Sequence, residues 1–312
     1  MVSKVILAQP RGFCAGVHMA IETVKLAHEK YPDETIYVNH QIVHNKRVVD
    51  NLINEFGTIF VKENISEIPD GSIIIMSAHG VSPQLYKQAK LQKLRVIDAT
   101  CPLVDKVHKK AVKYHDKGYE IILIGHKGHQ EVIGTQGYAP MHIVGTSQEA
   151  LALSVENPKK LAYITQTTLS KDDTQSVVNT LLKRFPNITN SRDDICYATT
   201  NRQAAVKALS KHVDLVLVAG ENNSSNSNRL VETAISMDTP SYLISSHNKI
   251  DPQWLAGIKT VGITSGASTP EEIVEGVIEY FKSQGELEVD ILNFKEENVT
   301  FNLPKALEEI DT

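Results

Sequence analysis

Short apolar runs alternate with amphipathic segments along almost the whole chain of 312 residues. Runs such as SIIIMSA, YEIILIG and VDLVLVAG are apolar at nearly every position and then change abruptly to polar residues. The segments between them space apolar residues three and four apart, as Val17, Ala20, Ile21 and Val24 are, which is typical of a helix with one buried face. Strands that alternate with helices predict parallel sheets, and strands that are apolar throughout fit sheets covered on both faces. The pattern therefore predicts an α/β fold.

The same order of elements occurs three times along the chain. Each repeat has a cysteine and a helix, a strand that ends in polar residues, a further helix with a short strand, and a final strand that leads into another helix. We predict three similar α/β units with mostly parallel sheets and a C-terminal tail, over residues 1–99, 100–195, 196–285 and 286–312. If the units pack around a pseudo-threefold axis, their polar strand ends meet in one central cavity. The alternative is that the three thirds are alike only because α/β proteins share this alternation.

Charge and cysteine content narrow the classes of protein to be considered. The chain has 32 basic and 37 acidic side chains and a formal net charge of -5, which argues against a general nucleic-acid or membrane-surface binder. The first residues lack the basic start, long apolar stretch and cleavage site of a signal peptide, and no apolar run approaches the length of a membrane span. Three cysteines do not make a disulfide scaffold. We therefore expect a cytoplasmic protein that binds neither nucleic acid nor membranes.

The three cysteines, Cys14, Cys101 and Cys196, each precede a predicted helix at an equivalent place in the repeat. A single cysteine is usually a small buried hydrophobic residue, but three thiolates at helix N-termini would favour an anionic iron–sulfur cluster. Structural zinc prefers four ligands from close pairs, and an electron carrier closes its cluster with four protein ligands. Three ligands would leave one iron open to a substrate oxygen.

The polar strand ends combine hydroxyl, imidazole and amide groups just ahead of helices, where free backbone N–H groups bind phosphates. They contain His44-Asn45, Ser77-Ala78-His79-Gly80, His129-Gln130-Glu131, Thr167-Thr168, Asn223-Ser224-Ser225-Asn226 and Ser265-Gly266-Ala267-Ser268. No P-loop and no GxGxxG follows a strand, so these ends suit a diphosphate better than a nucleotide. We assign five other histidines to the surface or the core and leave His126 open: His28, His115, His142, His212 and His247.

Glu131 is the only carboxylate in its polar segment, His129-Gln130-Glu131, which belongs to the second of the three repeats. It either caps a helix or supports the structure, or it supplies a proton beside an electron-rich cluster. Reductive removal of a hydroxyl group needs such a proton, because water leaves far more easily than hydroxide.

Together these residues resemble the family of 4-hydroxy-3-methylbut-2-enyl diphosphate reductases of the non-mevalonate isoprenoid pathway. The resemblance extends to about residue 280 and is carried by the motifs RGFCAGV, HNKRVV, SAHGVSP, DATCPLV, GHKGHQEVIGT, TQTTLS, DDICYATTNRQ and NSSNSNRL and by the final GAS-T-P pattern. It implies a trefoil of three α/β units around a central 4Fe–4S cluster. A small departure is Gln130, where some members of the family have a proline.

The resemblance also implies a role for each candidate residue. It implies cluster ligation by Cys14, Cys101 and Cys196, diphosphate binding by His44, His79, His129, Ser224, Ser225, Asn226 and Ser268, proton delivery by Glu131, and a place near the substrate hydroxyl for Thr167. The implied reaction is an iron–sulfur oxidoreductase reaction that removes the allylic hydroxyl of a small diphosphate, with two electrons and two protons, to give isopentenyl and dimethylallyl diphosphate. Closure of the units around the substrate would exclude water.

No flavin or nicotinamide motif is present, so the electrons are expected from a partner such as ferredoxin or flavodoxin. Such partners are usually acidic and need a basic docking patch, which the sequence does not locate. The alternative function is a metal- or thiol-dependent hydrolase of a phosphorylated metabolite. A cluster-bearing sensor is a further alternative, but it would leave Glu131 and the serine-rich segments unexplained.

Overall fold

The computed structural model describes residues 2–61, 64–190 and 194–309. Asp193 of the DDICYATTNRQ motif and residues 310–312 of the predicted tail lie outside the described residues. The chain forms two compact units. Unit 1 comprises Met1–Cys14, His44–Val48 and Tyr197–Val299, and unit 2 comprises Ala15–Val43, Val49–Cys196 and Thr300–Thr312. The sequence-based division after residues 99, 195 and 285 stays a prediction.

Strands and helices alternate along the chain as the apolar pattern predicts. The strands are β1 (Lys4–Gln9), β2 (Ile36–Asn39), β3 (Ile59–Val61), β4 (Ile73–Met76), β5 (Arg95–Asp98), β6 (Glu120–Ile124), β7 (Met141–Val144), β8 (Leu161–Thr165), β9 (Thr189–Asn190), β10 (Leu215–Ala219), β11 (Ser241–Ile244), β12 (Thr260–Ser265) and β13 (Glu288–Asn293). The helices are α1 (Ala15–Lys30), α2 (Lys46–Phe56), α3 (Pro83–Leu91), α4 (Pro102–Asp116), α5 (Gln130–Gln136), α6 (Ser147–Ala152), α7 (Lys171–Arg184), α8 (Tyr197–Leu209), α9 (Ser225–Ile235), α10 (Glu271–Lys282) and α11 (Ala306–Glu309). Short 3-10 helices lie at Ile65–Glu67, His247–Lys249 and Pro252–Leu255.

In the described part of the chain the strands form three sheets, and every strand pair is parallel. The strand orders are β3-β2-β4-β5, β7-β6-β8-β9 and β11-β10-β12-β1-β13. The first four strands of each sheet therefore follow an equivalent order, and the fourth of them leads to a cysteine. The third sheet has β13 as an additional fifth strand. Strand β5 precedes Cys101, β9 precedes Cys196, and β1 precedes Cys14. The predicted α/β class with three similar parallel sheets is confirmed.

The apolar strands are buried on both faces. Along β10, Leu215 and Leu217 pack in one hydrophobic cluster of unit 1, whereas Val216 and Val218 pack in another. Strand β6 alternates in the same way between two clusters of unit 2. Burial on both faces explains why these strands carry no polar alternation, as is usual for parallel sheets covered by helices.

Strand β13 comes from the segment that the sequence analysis treats as a tail. It pairs in parallel with β1 and is mostly exposed. The Lys4 ammonium group lies 2.8 Å from the Glu288 carboxylate and 2.5 Å from that of Asp290, so charges of opposite sign line up across this strand pair. Within the described ranges, no helix has the length and apolar character needed to cross a membrane.

Candidate functional site

The three cysteines occupy equivalent positions in the structure. Each stands directly before a helix, Cys14 before α1, Cys101 before α4 and Cys196 before α8. Each backbone N–H donates a hydrogen bond to a carbonyl oxygen two residues past the end of a strand; the pairs are Cys14 with Ala267 (3.1 Å), Cys101 with Ala78 (3.0 Å) and Cys196 with Thr167 (3.0 Å). The strands concerned, β12, β4 and β8, hold the same place in their sheets. The repeat read from the sequence therefore extends to the backbone contacts of each cysteine.

The Cys101 thiol lies against the backbone of helix α1. A Cβ atom placed on Gly16 would lie 2.6 Å from Cys101 Sγ and 3.2 Å from Cys101 Cβ. Real Cβ atoms do not approach so closely, so only glycine fits beside this thiol without a shift. The second glycine of the RGFCAGV motif, Gly16, is therefore required by the close packing of the Cys101 thiol within unit 2.

Glu131 is a buried acid of unit 2. It lies in the first turn of α5 with 3% of its surface exposed. Thr167, which follows β8, binds both of its carboxylate oxygens: the Thr167 N–H donates to Oε1 at 2.6 Å and the Thr167 hydroxyl donates to Oε2 at 2.9 Å. The two residues that the family resemblance links to the reacting hydroxyl are therefore in direct contact.

The environment of Glu131 favours its protonated form. Burial, with a smaller contribution from the nearby Asp194 charge, raises the pKa of Glu131 to about 7 against the opposing effect of the two hydrogen bonds from Thr167. A carboxyl group with this pKa holds a proton near neutral pH and can still release it, which is the property of a general acid.

One of the predicted diphosphate-binding histidines contacts Glu131 in unit 2, and a second contacts the ring of the first. His129 is the N-cap residue of α5, and its Nδ1 accepts a hydrogen bond from the Glu131 N–H at 3.2 Å. A neutral His129 therefore carries its ring proton on Nε2. The rings of His79 and His129 meet edge to face with their centroids 6.2 Å apart. The two histidines that the sequence analysis assigns to one site are therefore in contact, and their role in binding a diphosphate stays a prediction.

Three predicted residues of unit 1, Cys14, His44 and Asn226, are connected through the short segment Ala267-Ser268. The Ala267 carbonyl accepts from the Cys14 N–H, the Ala267 N–H donates to Asn226 Oδ1 at 3.2 Å, and the Ser268 hydroxyl donates to the His44 carbonyl at 3.1 Å. This segment thus links the cysteine, the amide and the histidine of that unit.

Helix α9 begins in the serine-rich motif of unit 1. Ser224 is its N-cap residue, and its Oγ accepts from the Ser227 N–H at 3.3 Å. Ser225 is the first residue of the helix, and Asn226 is 5% exposed. The predicted phosphate-binding residues therefore cluster at the N-terminus of a helix, where backbone N–H groups favour anions.

The sequence analysis missed a buried ion pair beside Glu131. Lys110 of α4 pairs with Asp194, whose side chain is 2% exposed, and Asp194 also accepts a hydrogen bond from the Thr165 N–H at 3.2 Å. Burial raises the pKa of Asp194, and the Lys110 ammonium group opposes that change. Asp194 lies two residues before Cys196. An aspartate so near to a candidate ligand is the sequence signal that could have drawn attention to it.

His108 of α4 is a second residue that the sequence analysis missed. It is 2% exposed, and its ring stacks on Tyr138 at a centroid distance of 4.2 Å. Gly80, which follows His79, has a φ of 75° and packs so closely on His108 that a Cβ atom there would collide with the ring. Burial lowers the pKa of His108 to about 4, so a neutral ring supports the turn after His79. A histidine within the buried stripe of a helix is the sequence signal for such a role.

Arg202 of α8 fixes the loop that leads to Cys14. Its guanidinium group is 1% exposed and donates to the Gly12 carbonyl at 2.8 Å and to the Glu297 carboxylate at 3.1 Å. On its other side, the Gly12 N–H donates to the Ser265 hydroxyl at 2.8 Å. A buried arginine is stable only with such partners. Because Glu297 lies far along the chain from Arg202, local sequence patterns could not reveal this pair.

This chain is similar in sequence and in structure to known proteins. The sequence model of the LytB protein family matches residues 5–282. The 4-hydroxy-3-methylbut-2-enyl diphosphate reductase of Streptomyces avermitilis is 49% identical over 308 residues, which cover 97% of this chain and 90% of that protein. The protein of the same name from Pseudomonas entomophila is 50% identical over 311 residues, which cover 97% of this chain and 98% of that protein.

A solved structure agrees with these relatives. It is described as the E-1-hydroxy-2-methyl-but-2-enyl-4-diphosphate reductase from Plasmodium falciparum and is 40% identical to this chain. The likeness has a TM-score of 0.93 and covers 100% of this chain and 98% of that one. Since the family match spans most of the chain and the relatives align along nearly their whole length, this chain belongs to the LytB protein family.

Proposed function

We propose that this chain is the reductase that converts (E)-4-hydroxy-3-methylbut-2-enyl diphosphate into isopentenyl diphosphate and dimethylallyl diphosphate. Relatives of about half-identical sequence bear the name of this enzyme. The reaction breaks the allylic C–O bond, consumes two electrons and two protons, and releases one water. The observation that carries the proposal is the buried Glu131 carboxyl, held on both oxygens by Thr167, with a pKa of about 7.

We assign electron supply to a 4Fe–4S cluster held by the thiolates of Cys14, Cys101 and Cys196. Thiolates are the usual ligands of iron–sulfur clusters, none of the three cysteines forms a disulfide with another described residue, and each has the same backbone hydrogen bond. Among the described residues, no group of three or more His, Cys, Asp and Glu side chains could hold a single metal ion. A cluster differs from a single ion because each thiolate would bind a different iron, so the three thiolates would not need to meet at one ion.

When bound, such a cluster supplies electrons and one iron with an open coordination position. Cysteines that form no disulfides are typical of cytoplasmic proteins, where thiols are kept reduced. We therefore propose that this protein is cytoplasmic.

In the proposed reaction Glu131 delivers the proton that turns the departing hydroxyl into water. Its burial raises the pKa of the carboxyl to about 7, so that the protonated form is populated near neutral pH, and hydrogen bonds from Thr167 fix both oxygens. A fixed acid is effective because the proton is already placed when the C–O bond breaks. The role of Thr167 is to hold this carboxyl and to lie beside the substrate hydroxyl.

We propose that the diphosphate is bound by the hydroxyl, imidazole and amide groups of the polar strand ends. They are His44, His79, His129, Ser224, Ser225, Asn226 and Ser268. Asn226 offers the clearest donor, because its Nδ2 is buried and has no hydrogen-bond partner among the described residues. A buried N–H group without a partner costs free energy, and a phosphate oxygen would remove that cost.

Asn226→Asp tests this donor. The variant keeps the oxygen that accepts from the Ala267 N–H but replaces the amide donor with an anion. We expect the KM for the diphosphate substrate to rise roughly 10-fold or more, as for the loss of a hydrogen bond to a charged group, with unchanged cluster content. The alcohol that lacks the diphosphate should be a very poor ligand of the native protein.

The matched control for this change is Asn222→Asp, which adds the same charge at an exposed position of the same polar segment. Steady-state kinetics of both variants and a binding titration with the alcohol are the measurements. An Asn226→Asp protein with a native KM, or equal binding of the alcohol and the diphosphate, would remove the case for this anion site.

Gly16→Ala tests the packing around the Cys101 thiol. The added methyl group would displace the thiol, because its contact with Sγ would be only 2.6 Å. We expect the variant to hold much less iron and sulfide per chain than the native protein, although every cysteine is retained. Iron and sulfide analysis after anaerobic reconstitution is the measurement.

Gly276→Ala is the control for this substitution. Gly276 also lies in a helix, but a Cβ there would meet only His247 Nδ1, at 3.3 Å. This variant should load its cluster normally. Native cluster content in Gly16→Ala would mean that cluster binding does not depend on the present position of the Cys101 thiol.

The proposed reaction is tested by incubating anaerobically purified protein with the allylic diphosphate and a chemical reductant. We expect a brown protein and the two five-carbon diphosphates as products, with no release of phosphate. The alternative, a hydrolase of a phosphorylated metabolite, would release phosphate without a reductant. Phosphate release by colourless protein would replace our proposal with that alternative.

A further inference from the structure

Helix α4 has a strip of basic side chains along one side. An open groove of about 440 Å³ is lined by Pro102, Asp105, Lys106, Lys109, Lys110 and Lys113. Residues three, four and seven positions apart lie on the same side of a helix, so the four lysines form one continuous strip. We call these four residues the α4 lysine strip.

The α4 lysine strip differs in charge from the chain as a whole. The chain has a formal net charge of -5, whereas the groove has four lysines and one carboxylate. That carboxylate, Asp105, lies 2.5 Å from the Lys109 ammonium group. Lys106, Lys109 and Lys113 are exposed. A local positive surface on an acidic protein attracts a negatively charged partner and limits where that partner can dock.

The strip lies on the helix that follows Cys101, and one of its lysines contacts the segment that precedes Cys196. Helix α4 begins with the residue after Cys101. Lys110 turns inward from the strip to its buried ion pair with Asp194, which stands two residues before Cys196. A partner that covers this strip would therefore lie over the two chain segments that hold Cys101 and Cys196 within unit 2.

We propose that the α4 lysine strip is the docking surface for an acidic one-electron carrier protein of the flavodoxin or ferredoxin class. This inference rests on the proposed function, which consumes two electrons for each product formed. A one-electron carrier is oxidised once in each encounter, so one turnover takes two encounters. Brief, charge-steered encounters of this kind need only a small interface, and a strip on a single helix provides one.

Nucleic acid is a poorer fit to the same strip. Proteins that bind single strands stack aromatic side chains on the bases, and the only Phe, Tyr or Trp in α4 is Tyr114, which is buried. The test nevertheless includes RNA and anionic vesicles as competing partners.

The deciding experiment compares two triple variants of the cluster-loaded protein. K106Q/K109Q/K113Q removes three charges from the strip, and K211Q/K249Q/K259Q removes three from exposed positions in unit 1. Turnover is measured with a reduced acidic flavodoxin and, in parallel, with dithionite. With flavodoxin at low salt, kcat/KM should fall roughly 10-fold or more in the strip variant alone, the scale of lost electrostatic steering. Added salt should reduce the difference, because exposed charges are screened.

The two reductants separate the possible failures. Native turnover of the strip variant with dithionite, together with a slow reaction with flavodoxin, supports the docking surface. Equal flavodoxin kinetics in both triple variants would overturn the docking proposal and leave the reaction standing. Loss of RNA or anionic-vesicle binding in the strip variant, with native flavodoxin kinetics, would overturn it as well. Absence of product with dithionite in the unchanged protein would instead overturn the proposed function.

Discussion

Changing Glu131 to glutamine should lower turnover per intact cluster by roughly 10²–10⁴-fold, the usual effect of removing a general acid. Glutamine has nearly the same size, and its carbonyl oxygen can still accept one of the two hydrogen bonds from Thr167. It cannot deliver a proton to the departing hydroxyl. Cluster content and the affinity for the substrate should therefore stay close to those of the native protein.

The pH dependence of this variant separates a proton donor from a structural residue. The pKa of Glu131 is about 7, and an acid must be protonated before it can donate. Native turnover should therefore fall as the pH rises through about 7, and the Gln variant should lack this decrease. A Glu131 with a structural role would instead show its effect in the melting temperature or the cluster content.

Glu272→Gln is the control for this change, because Glu272 is exposed in the first turn of α10. It should keep native turnover and the native pH profile. If the Glu131→Gln protein turned over at a native rate per cluster, the proton would come from another group. Thr167 would then not have the role of holding the proton donor.

Changing any one of Cys14, Cys101 and Cys196 to serine should remove most of the cluster and most of the activity. The expected loss is similar at the three positions, because each cysteine precedes a helix and makes the same backbone hydrogen bond. Serine has nearly the shape of cysteine but is a much poorer ligand of iron–sulfur clusters. Iron, sulfide and absorption measurements after anaerobic reconstitution check this prediction.

The chain has no other cysteine, so the control is the folding of the cluster-free proteins. Without a cluster, each serine variant and the native protein should melt at nearly the same temperature, because the substitution changes neither backbone nor volume appreciably. A variant with a full cluster and normal turnover would show that its cysteine is not a ligand.

Local patterns predicted the order of elements and the equivalence of the cysteines. The apolar strands could be recognised because both of their faces are buried, as in β10. The short β9 has only two residues, too few for a periodic pattern. The position of β1 beside β12 is set by pairing between distant parts of the chain, which local periodicity does not specify.

The chemistry of the candidate site was predicted in part. The sequence analysis identified Glu131 as an acid, but its pKa depends on burial and on the distant Thr167 and Asp194. The pair of Arg202 and Glu297 depends on tertiary packing in the same way. The α4 lysine strip was present in the sequence as VDKVHKKAVK, where helical periodicity places the lysines on one side. A run of charges is more often a solvated helix face, so the proposed docking role rests on the position of the strip beside Cys101 and Asp194.

The dependence of turnover on cluster content tests the central claim most directly. Protein stripped of metal can be reconstituted anaerobically to a series of iron and sulfide contents and then assayed with the allylic diphosphate and dithionite. We predict that the rate of formation of isopentenyl and dimethylallyl diphosphate rises in proportion to the number of 4Fe–4S clusters per chain and is zero without them. Product formation by the cluster-free protein, or an inactive protein with one cluster per chain, would contradict the account.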